Sequence, residues 1–205
     1  ARDWGRILDV GCGDGLFFDQ LSRLGVVEGV EPDGALVAAD GRWRERIAVR
    51  PFDAGFTPDR RYGLILFLDV LEHMEDPRAA LRHAAGLLDR DGRVVITVPA
   101  SMLLWSGHDV LNRHYLRYDR KSLVELVRSA GMTVEQVRHV FHWAYFAKLL
   151  ARFAESALRR GPRPPAVPPA VVNRALYALT RAEQRTLGRL RPPFGSSLLL
   201  VARPR

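Results

Sequence analysis

Short apolar runs alternate with amphipathic stretches over the first hundred residues of the chain. The apolar runs predict five strands, at residues 6–10, 26–31, 47–52, 62–68 and 92–98. The fourth and fifth, YGLILFL and GRVVITV, are apolar without alternation, as expected for strands that are covered on both faces. Helical patterns over 16–24 and 77–88 lie between strands, and Asp91-Gly92 predicts a turn into the fifth. This alternation predicts an α/β fold with a parallel sheet and crossover helices.

The pattern changes after Pro99. A loop rich in Trp, His, Asn and Tyr precedes a predicted helix at 119–130, which ends at Gly131. A strand at 132–140 follows, then an aromatic-rich helix at 141–160, a stiff proline-rich linker at 161–170, a helix near 171–190 and a last strand at 198–202. We therefore expect one domain from residues 1–140 and 197–205. Residues 141–196 would form a helical insertion that serves as a cap, a dimer interface or a membrane-surface element.

Charge divides the 205-residue chain into two unlike halves. Residues 1–100 hold 13 basic and 17 acidic side chains, whereas residues 101–205 hold 18 basic and six acidic ones. A basic half suits phosphates, nucleic acid or an anionic membrane surface. The single cysteine, Cys12, excludes an intrachain disulfide and favours a reducing compartment. We expect a cytoplasmic protein, with association to a membrane as the alternative.

A glycine-rich turn follows the first predicted strand, in the sequence Ile-Leu-Asp-Val-Gly-Cys-Gly-Asp-Gly at 7–15. Glycines at alternate positions allow a ligand to approach the main chain closely. The dinucleotide pattern GxGxxG fails here because Leu16 follows Gly15. Glu31, Asp53 and Asp69 follow the next three strands, so acidic side chains line the crevice where open α/β sheets bind ligands.

The motifs DVGCGDG, VEGVEPDG, PFDA and LFLDVLEHMEDP, in this order, resemble the class I S-adenosylmethionine-dependent methyltransferases. The resemblance implies a Rossmann-like, doubly wound, seven-stranded sheet of order 3-2-1-4-5-7-6. It also implies S-adenosylmethionine as cofactor and S-adenosylhomocysteine as product, and the sulfonium charge suits an acid-lined site. In that family the glycine loop holds the methionine part of the cofactor, and the acidic residue after the second strand holds the ribose. The loop after the third strand holds the adenine, and the end of the fourth strand lies near the sulfonium. The implied cofactor-binding residues are Asp9, Gly11, Cys12, Gly13, Gly15, Glu31, Pro32, Asp53, Ala54, Leu68, Asp69 and Val70.

Candidate catalytic residues come from two segments. His73 ends the pattern D-x-x-E-H, which is similar to the E-x-x-E-H of ubiquinone-type and small-RNA 2′-O-methyltransferases, where the carboxylates and histidine bind metal. Here Asp69 replaces the first Glu, and His108 or His114 would have to complete a site, so we do not favour a metal. The loop at 105–118 is the candidate acceptor site, and the alternative is an ordered loop that covers the sheet edge. The predicted catalytic residues are His73, His114 and Tyr118.

The sequence thus predicts methyl transfer to a small-molecule or to a lipid- or glycan-linked acceptor, with oxygen as the favoured acceptor atom. Two other functions remain open. The basic second half suits an RNA methyltransferase, although no nucleic-acid recognition module is recognisable. The chain could instead bind the cofactor without catalysing transfer. Peripheral membrane contact and a homodimer are further expectations for the insertion.

Overall fold

The computed structural model describes residues 2–158, 168–190 and 192–205. These residues form a seven-stranded sheet of order β3-β2-β1-β4-β5-β7-β6. The strands are β1 Arg6–Val10, β2 Val26–Glu31, β3 Ile47–Val49, β4 Tyr62–Leu68, β5 Leu88–Pro99, β6 Met132–Val140 and β7 Ser197–Pro204. The first five strands are mutually parallel, whereas β7 runs antiparallel to β5 and β6. The predicted fold class and strand order are confirmed.

Helices cover the sheet and several begin at capped ends. They are α1 Phe18–Leu21, α2 Pro77–Leu87, α3 Gly107–Leu111, α4 Arg120–Ser129, α5 His142–Leu158 and α6 Ala170–Leu190. The Asp76 carboxylate accepts the Ala79 N–H at the start of α2, and Asp119 does the same for Ser122 at the start of α4. Such bonds satisfy amides that have no partner within the helix.

Two apolar clusters lie on the two faces of the sheet. Ile7 of β1 belongs to one cluster with Phe18 of α1, whereas its neighbour Leu8 belongs to the other with Leu81 of α2. Residues alternate between faces along a strand, so β1 supplies both clusters. All of β4 except its last residue, Leu68, is buried, which confirms the prediction of a strand covered on both sides.

Three predicted local features differ from the structure. Helix α1 has four residues instead of the predicted nine, because bonds of the i→i+3 type, such as Leu24 N–H to Leu21, replace helical bonds around it. Strand β3 ends at Val49 rather than at 52, and Pro51 has no N–H with which to extend the ladder. The residues Asp91-Gly92, predicted to form a turn, are instead part of β5, and the pairing register between β4 and β5 shifts at this point.

Helices α5 and α6 lie between β6 and β7 along the chain. Buried Glu183 of α6 accepts the N–H groups of His142 and Trp143 at 3.0 and 2.8 Å, and thereby caps the start of α5. Most of the predicted proline-rich linker, and the predicted helical residues 159–160, lie outside the described residues. Among the described helices, none has both the length and the hydropathy that crossing a membrane requires.

Candidate active site

The glycine turn between β1 and α1 adopts a backbone that suits glycine. Gly11, Gly13 and Gly15 have φ values of +71°, +53° and +77°. A Cβ at Gly11 would lie 2.7 Å from Cγ2 of Val70, so this glycine also permits close packing against the end of β4. By contrast, a Cβ at Gly13 would meet nothing within 4 Å. The turn therefore leaves open space beside its central glycine.

Glu31 holds this turn in place. It lies at the end of β2 and is buried, and its two carboxylate oxygens accept the N–H groups of Gly13 at 2.9 Å and Asp33 at 3.0 Å. A carboxylate has about four lone-pair positions, so two acceptor positions remain for a ligand. Glu31 is thus both part of the turn's support and a candidate for ligand contact.

A cavity of about 360 Å³ opens over the glycine turn. Asp9, which is 2% exposed, lies in its wall. Burial raises the pKa of Asp9 to about 7, and the nearby Glu31 charge adds to this rise. The cavity is lined by Asp9, Gly11, Cys12, Gly13, Asp14, Leu16, Phe17, Leu36 and Leu68. A cationic ligand placed there would favour the ionised form of Asp9.

A second cavity, of about 310 Å³, lies at the end of β4, where Asp69 lines it. Leu68 lines the first cavity and the next residue, Asp69, lines the second, so both cavities lie at the end of one strand. The second cavity is lined by Asp69, Glu72, His73, Pro99, His108, Asn112, His114, Arg117, Lys148 and Ser197. It therefore combines residues from the strand ends, the 105–118 loop and helix α5.

Strained backbone occurs at one residue of the second cavity and in the segments that follow β5. Asp69 follows β4 with φ +56°, Ser101 follows β5 with φ +64°, and Arg113 in the loop has φ +55°. Residues other than glycine reach this left-handed region at a cost of about 1–2 kcal/mol. Such strain concentrates at functional sites, where surrounding contacts maintain it.

The side chains at the end of β4 have perturbed acid–base properties. Glu72 is 1% exposed, its Oε2 has no hydrogen-bond partner, and burial raises its pKa to about 8. Desolvation, and then the neighbouring His114, lower the pKa of His73. The His73 and His114 rings meet edge to face with centroids 4.7 Å apart. One donor atom each from Glu72, His73 and His114 lies within 4.8 Å of the others, a spacing that fits a metal ion.

The 105–118 loop is anchored above this site. The Tyr115 N–H donates to the Glu72 carbonyl at 2.8 Å, and the Tyr118 N–H donates to the Pro99 carbonyl at 3.0 Å. The Tyr118 hydroxyl donates to the Leu71 carbonyl at 3.4 Å. The loop is therefore fixed to the ends of β4 and β5 rather than standing free of them.

Comparison with known proteins identifies the family. Residues 1–137 match the family described as "Methyltransferase domain". The chain belongs to the class I S-adenosylmethionine-dependent methyltransferases. This membership confirms the resemblance seen in the motifs, and it implies S-adenosylmethionine as the cofactor.

Relatives of this methyltransferase include ubiquinone biosynthesis O-methyltransferase of Bradyrhizobium diazoefficiens, which is 32% identical over 45% of this chain and 39% of its own. A probable S-adenosylmethionine-dependent methyltransferase of Mycolicibacterium smegmatis is 28% identical over 74% of this chain and 61% of its own. The chain thus spans about two fifths to three fifths of these relatives. Haemonchus contortus phosphoethanolamine N-methyltransferase 2, solved with phosphomonomethylethanolamine and S-adenosylhomocysteine, shares the fold with a TM-score of 0.63, at 15% identity over all of this chain and half of its own.

The structure brings together only part of the predicted cofactor set. Five of these residues line the first cavity, namely Asp9, Gly11, Cys12, Gly13 and Leu68, whereas Asp69 lines the second. Val70 packs against Gly11. Asp53 and Ala54 are exposed on the loop after β3, where the Asp53 carboxylate accepts the Gly55 N–H at 2.8 Å. The predicted contact of Asp53 and Ala54 with adenine stays a prediction. The predicted cofactor contacts of Gly15, Glu31 and Pro32 also stay predictions.

Of the predicted catalytic residues, His73 and His114 lie together in the second cavity. Tyr118 is 4% exposed within the apolar core and lines a different cavity, and burial raises its pKa to about 12. Its surroundings are those of a structural tyrosine, and its predicted catalytic role stays untested.

Sequence reasoning did not single out several residues that the structure places at the site. They are Asp14, Leu16, Phe17 and Leu36 at the first cavity, and Asp109, Asn112, Arg117 and Lys148 at or beside the second. The spacing D-x₄-H-x₂-R between Asp109 and Arg117 was the available signal for the loop residues.

Proposed function

We propose that this protein transfers a methyl group from S-adenosylmethionine to an oxygen of a small-molecule or a lipid- or glycan-linked acceptor. The observation that carries this proposal is that the two cavities are lined by consecutive residues, Leu68 and Asp69. When bound, the cofactor supplies an electrophilic methyl group on a sulfonium. A donor over the glycine turn would meet an acceptor among the histidines of the second cavity, and such positioning is the main requirement of a displacement reaction.

On the donor side, Asp9 and the glycine turn have distinct tasks. The turn exposes main chain to the ligand at Gly13, where no neighbouring atom lies within 4 Å of a Cβ position. Asp9 places a buried carboxyl in the wall of a cavity that receives a cation. Its ionised form would be stabilised by that cation, so binding and deprotonation of Asp9 are coupled.

On the acceptor side, the histidines support an attacking oxygen. A hydroxyl must lose its proton as it attacks, and a neutral imidazole is suited to accept it. The pKa of His73 is lowered, which keeps this ring neutral at physiological pH. Lys148 places a positive group in the same wall, which suits an acceptor with a polar or anionic portion.

A divalent cation is a separate question. Glu72, His73 and His114 would hold it, and the unpartnered Oε2 of Glu72 is consistent with that. There it would polarise the acceptor oxygen. Asp69, the first carboxylate of the D-x-x-E-H pattern, is outside this donor cluster. For this reason the proposal does not depend on a metal.

Helix α5 has an exposed apolar face that lies opposite the acceptor cavity. Phe146, Leu150 and Phe153 are 54%, 70% and 64% exposed, and their spacing places them on one face of the helix, whereas Lys148 lines the cavity from the other face. This apolar face does not extend the acceptor site. The cap, dimer-interface and membrane-surface roles of the insertion stay predictions.

Calorimetric titration with S-adenosylmethionine and S-adenosylhomocysteine, followed by acceptor screening with deuteromethyl-labelled cofactor and mass spectrometry, tests this function. We expect one binding site per chain and label on an oxygen of the product. His73→Gln should bind the cofactor as the wild type does. This variant therefore separates an effect on methyl transfer from an effect on cofactor binding. Cofactor binding without turnover on any acceptor would indicate a non-catalytic module. RNA as the labelled product, with binding that weakens steeply with salt, would indicate the RNA alternative.

A further inference from the structure

A buried ionic network lies under the 105–118 loop, centred on Asp109. This residue is 0% exposed. Its Oδ1 accepts from Arg117 Nε and His114 Nδ1, each at 2.8 Å, and its Oδ2 accepts from Arg117 Nη2 at 3.0 Å and the Ser106 N–H at 2.9 Å. The Arg117 guanidinium donates to both oxygens of Asp109, the bidentate geometry of a pair between a cation and an ionised carboxylate. We therefore treat Asp109 as ionised.

The bond to Asp109 determines which nitrogen of His114 carries the proton. An ionised carboxylate can only accept hydrogen bonds, so Nδ1 of His114 must donate. In the neutral ring, Nε2 then keeps its lone pair. His114 also lines the acceptor cavity beside His73, with its side chain 10% exposed. The network thus presents a ring with one nitrogen held and the other free to accept a proton.

Arg117 completes the network from the other side. Its side chain is 2% exposed, and its guanidinium binds both oxygens of Asp109 and reaches the Ala100 carbonyl at 3.4 Å, just after β5. Arg117 alone would balance the charge of Asp109. The additional bond to His114, at the wall of a cavity, is not needed for that balance.

The backbone of the 105–118 loop also helps to hold His114 against Asp109. Arg113, directly before His114, has φ +55°, and the His114 N–H donates to the Asp109 carbonyl at 3.0 Å. This conformation returns the chain to Asp109 over five residues. The strain at Arg113 is thus maintained by main-chain and side-chain bonds that both join His114 to Asp109.

We propose that Asp109 is a positioning residue that holds His114 as the base for the acceptor hydroxyl, an inference that rests on the proposed function. The acceptor O–H bond breaks and its proton passes to Nε2 of His114. The acceptor oxygen forms a bond to the methyl carbon, and the carbon–sulfur bond of the cofactor breaks to leave neutral S-adenosylhomocysteine. The proton on Nδ1 stays between His114 and Asp109, which stabilises the imidazolium.

Long-range ¹H–¹⁵N NMR of the histidine rings tests the positioning without any turnover. Spectra of the full chain in the presence of a chelator are compared with those of His114→Gln, which assigns the His114 signals. We expect the neutral His114 ring to carry its proton on Nδ1. A ring protonated on Nε2 would overturn the proposal, and this result stands even if no acceptor is found.

Kinetics with an identified acceptor tests the base role. We expect Asp109→Asn to lower kcat by about 100-fold or more, with little change in acceptor KM or in the dissociation constant of S-adenosylhomocysteine. Because this variant leaves Arg117 buried beside a neutral group, His114→Gln, which retains the Asp109–Arg117 pair, provides the second test and should lose kcat similarly. Wild-type kcat in His114→Gln would overturn the proposal. So would a rate that a chelator abolishes and a divalent cation restores, since Nε2 would then serve a metal.

Discussion

Replacing Asp9 by Asn should change how the stability of the protein depends on pH. In the folded chain the pKa of Asp9 is about 7, because the carboxyl is buried and lies near Glu31, against an ordinary value of 3.8. The folded state therefore holds this proton more tightly than the unfolded chain does. The contribution is fully present below pH 3.8 and is lost as pH rises through about 7. Between pH 5 and pH 8 this shift corresponds to a loss of roughly 2–3 kcal/mol of unfolding free energy.

Urea unfolding at pH 5 and pH 8, followed by circular dichroism, measures this difference. We expect wild type to lose roughly 2–3 kcal/mol more between the two pH values than Asp9→Asn does. The contribution of Glu72, whose pKa is about 8, is present in both proteins and cancels in the comparison. Asp40→Asn, the same change at an exposed position, should behave as the wild type. Equal pH dependence in Asp9→Asn and wild type would refute the assignment of a buried, proton-holding carboxyl to this cavity.

Three further substitutions test the support of the glycine turn. Gly13→Val should abolish cofactor binding in calorimetry, because a side chain would enter the ligand's space at a φ of +53°; retained affinity would make the turn merely structural. Glu31→Ala should weaken cofactor binding by about 1–3 kcal/mol, and an unchanged dissociation constant would remove Glu31 from the site. Gly29→Ala should lower the unfolding free energy by about 1–3 kcal/mol, because its Cβ would lie 2.4 Å from Cys12 Sγ. In the same urea experiment Gly86→Ala, with open space around its Cβ, should not destabilise the protein.

Strand positions could be predicted from the sequence because apolar runs are local signals, whereas the strand order was implied by the resemblance to the methyltransferase family. The runs at β1, β2, β4 and β6 matched the observed bounds. Local geometry was less accessible. Residues 16–24 form a short helix and tighter turns because of how the chain packs between Gly15 and Gly25. The spacing of apolar residues does not indicate this packing.

The acceptor side of the site depends on contacts that no short motif specifies. The pattern at residues 69–73 groups Asp69 with Glu72 and His73, but the structure clusters Glu72 and His73 with His114, 41 residues later than His73. Likewise, the contact between Asp109 and His114 requires a left-handed backbone conformation at Arg113. Glycine usually marks such a conformation in a sequence, and position 113 is not glycine. Residue types alone therefore indicated the candidates but not their partners.

A crystal structure of the protein with S-adenosylhomocysteine shows directly whether the donor site faces the acceptor cavity. We expect the ligand over the glycine turn, with its sulfur between Leu68 and Asp69 and facing the cavity that holds His73 and His114. A ligand bound elsewhere, or one whose sulfur faces away from that cavity, would rule out the proposed active site.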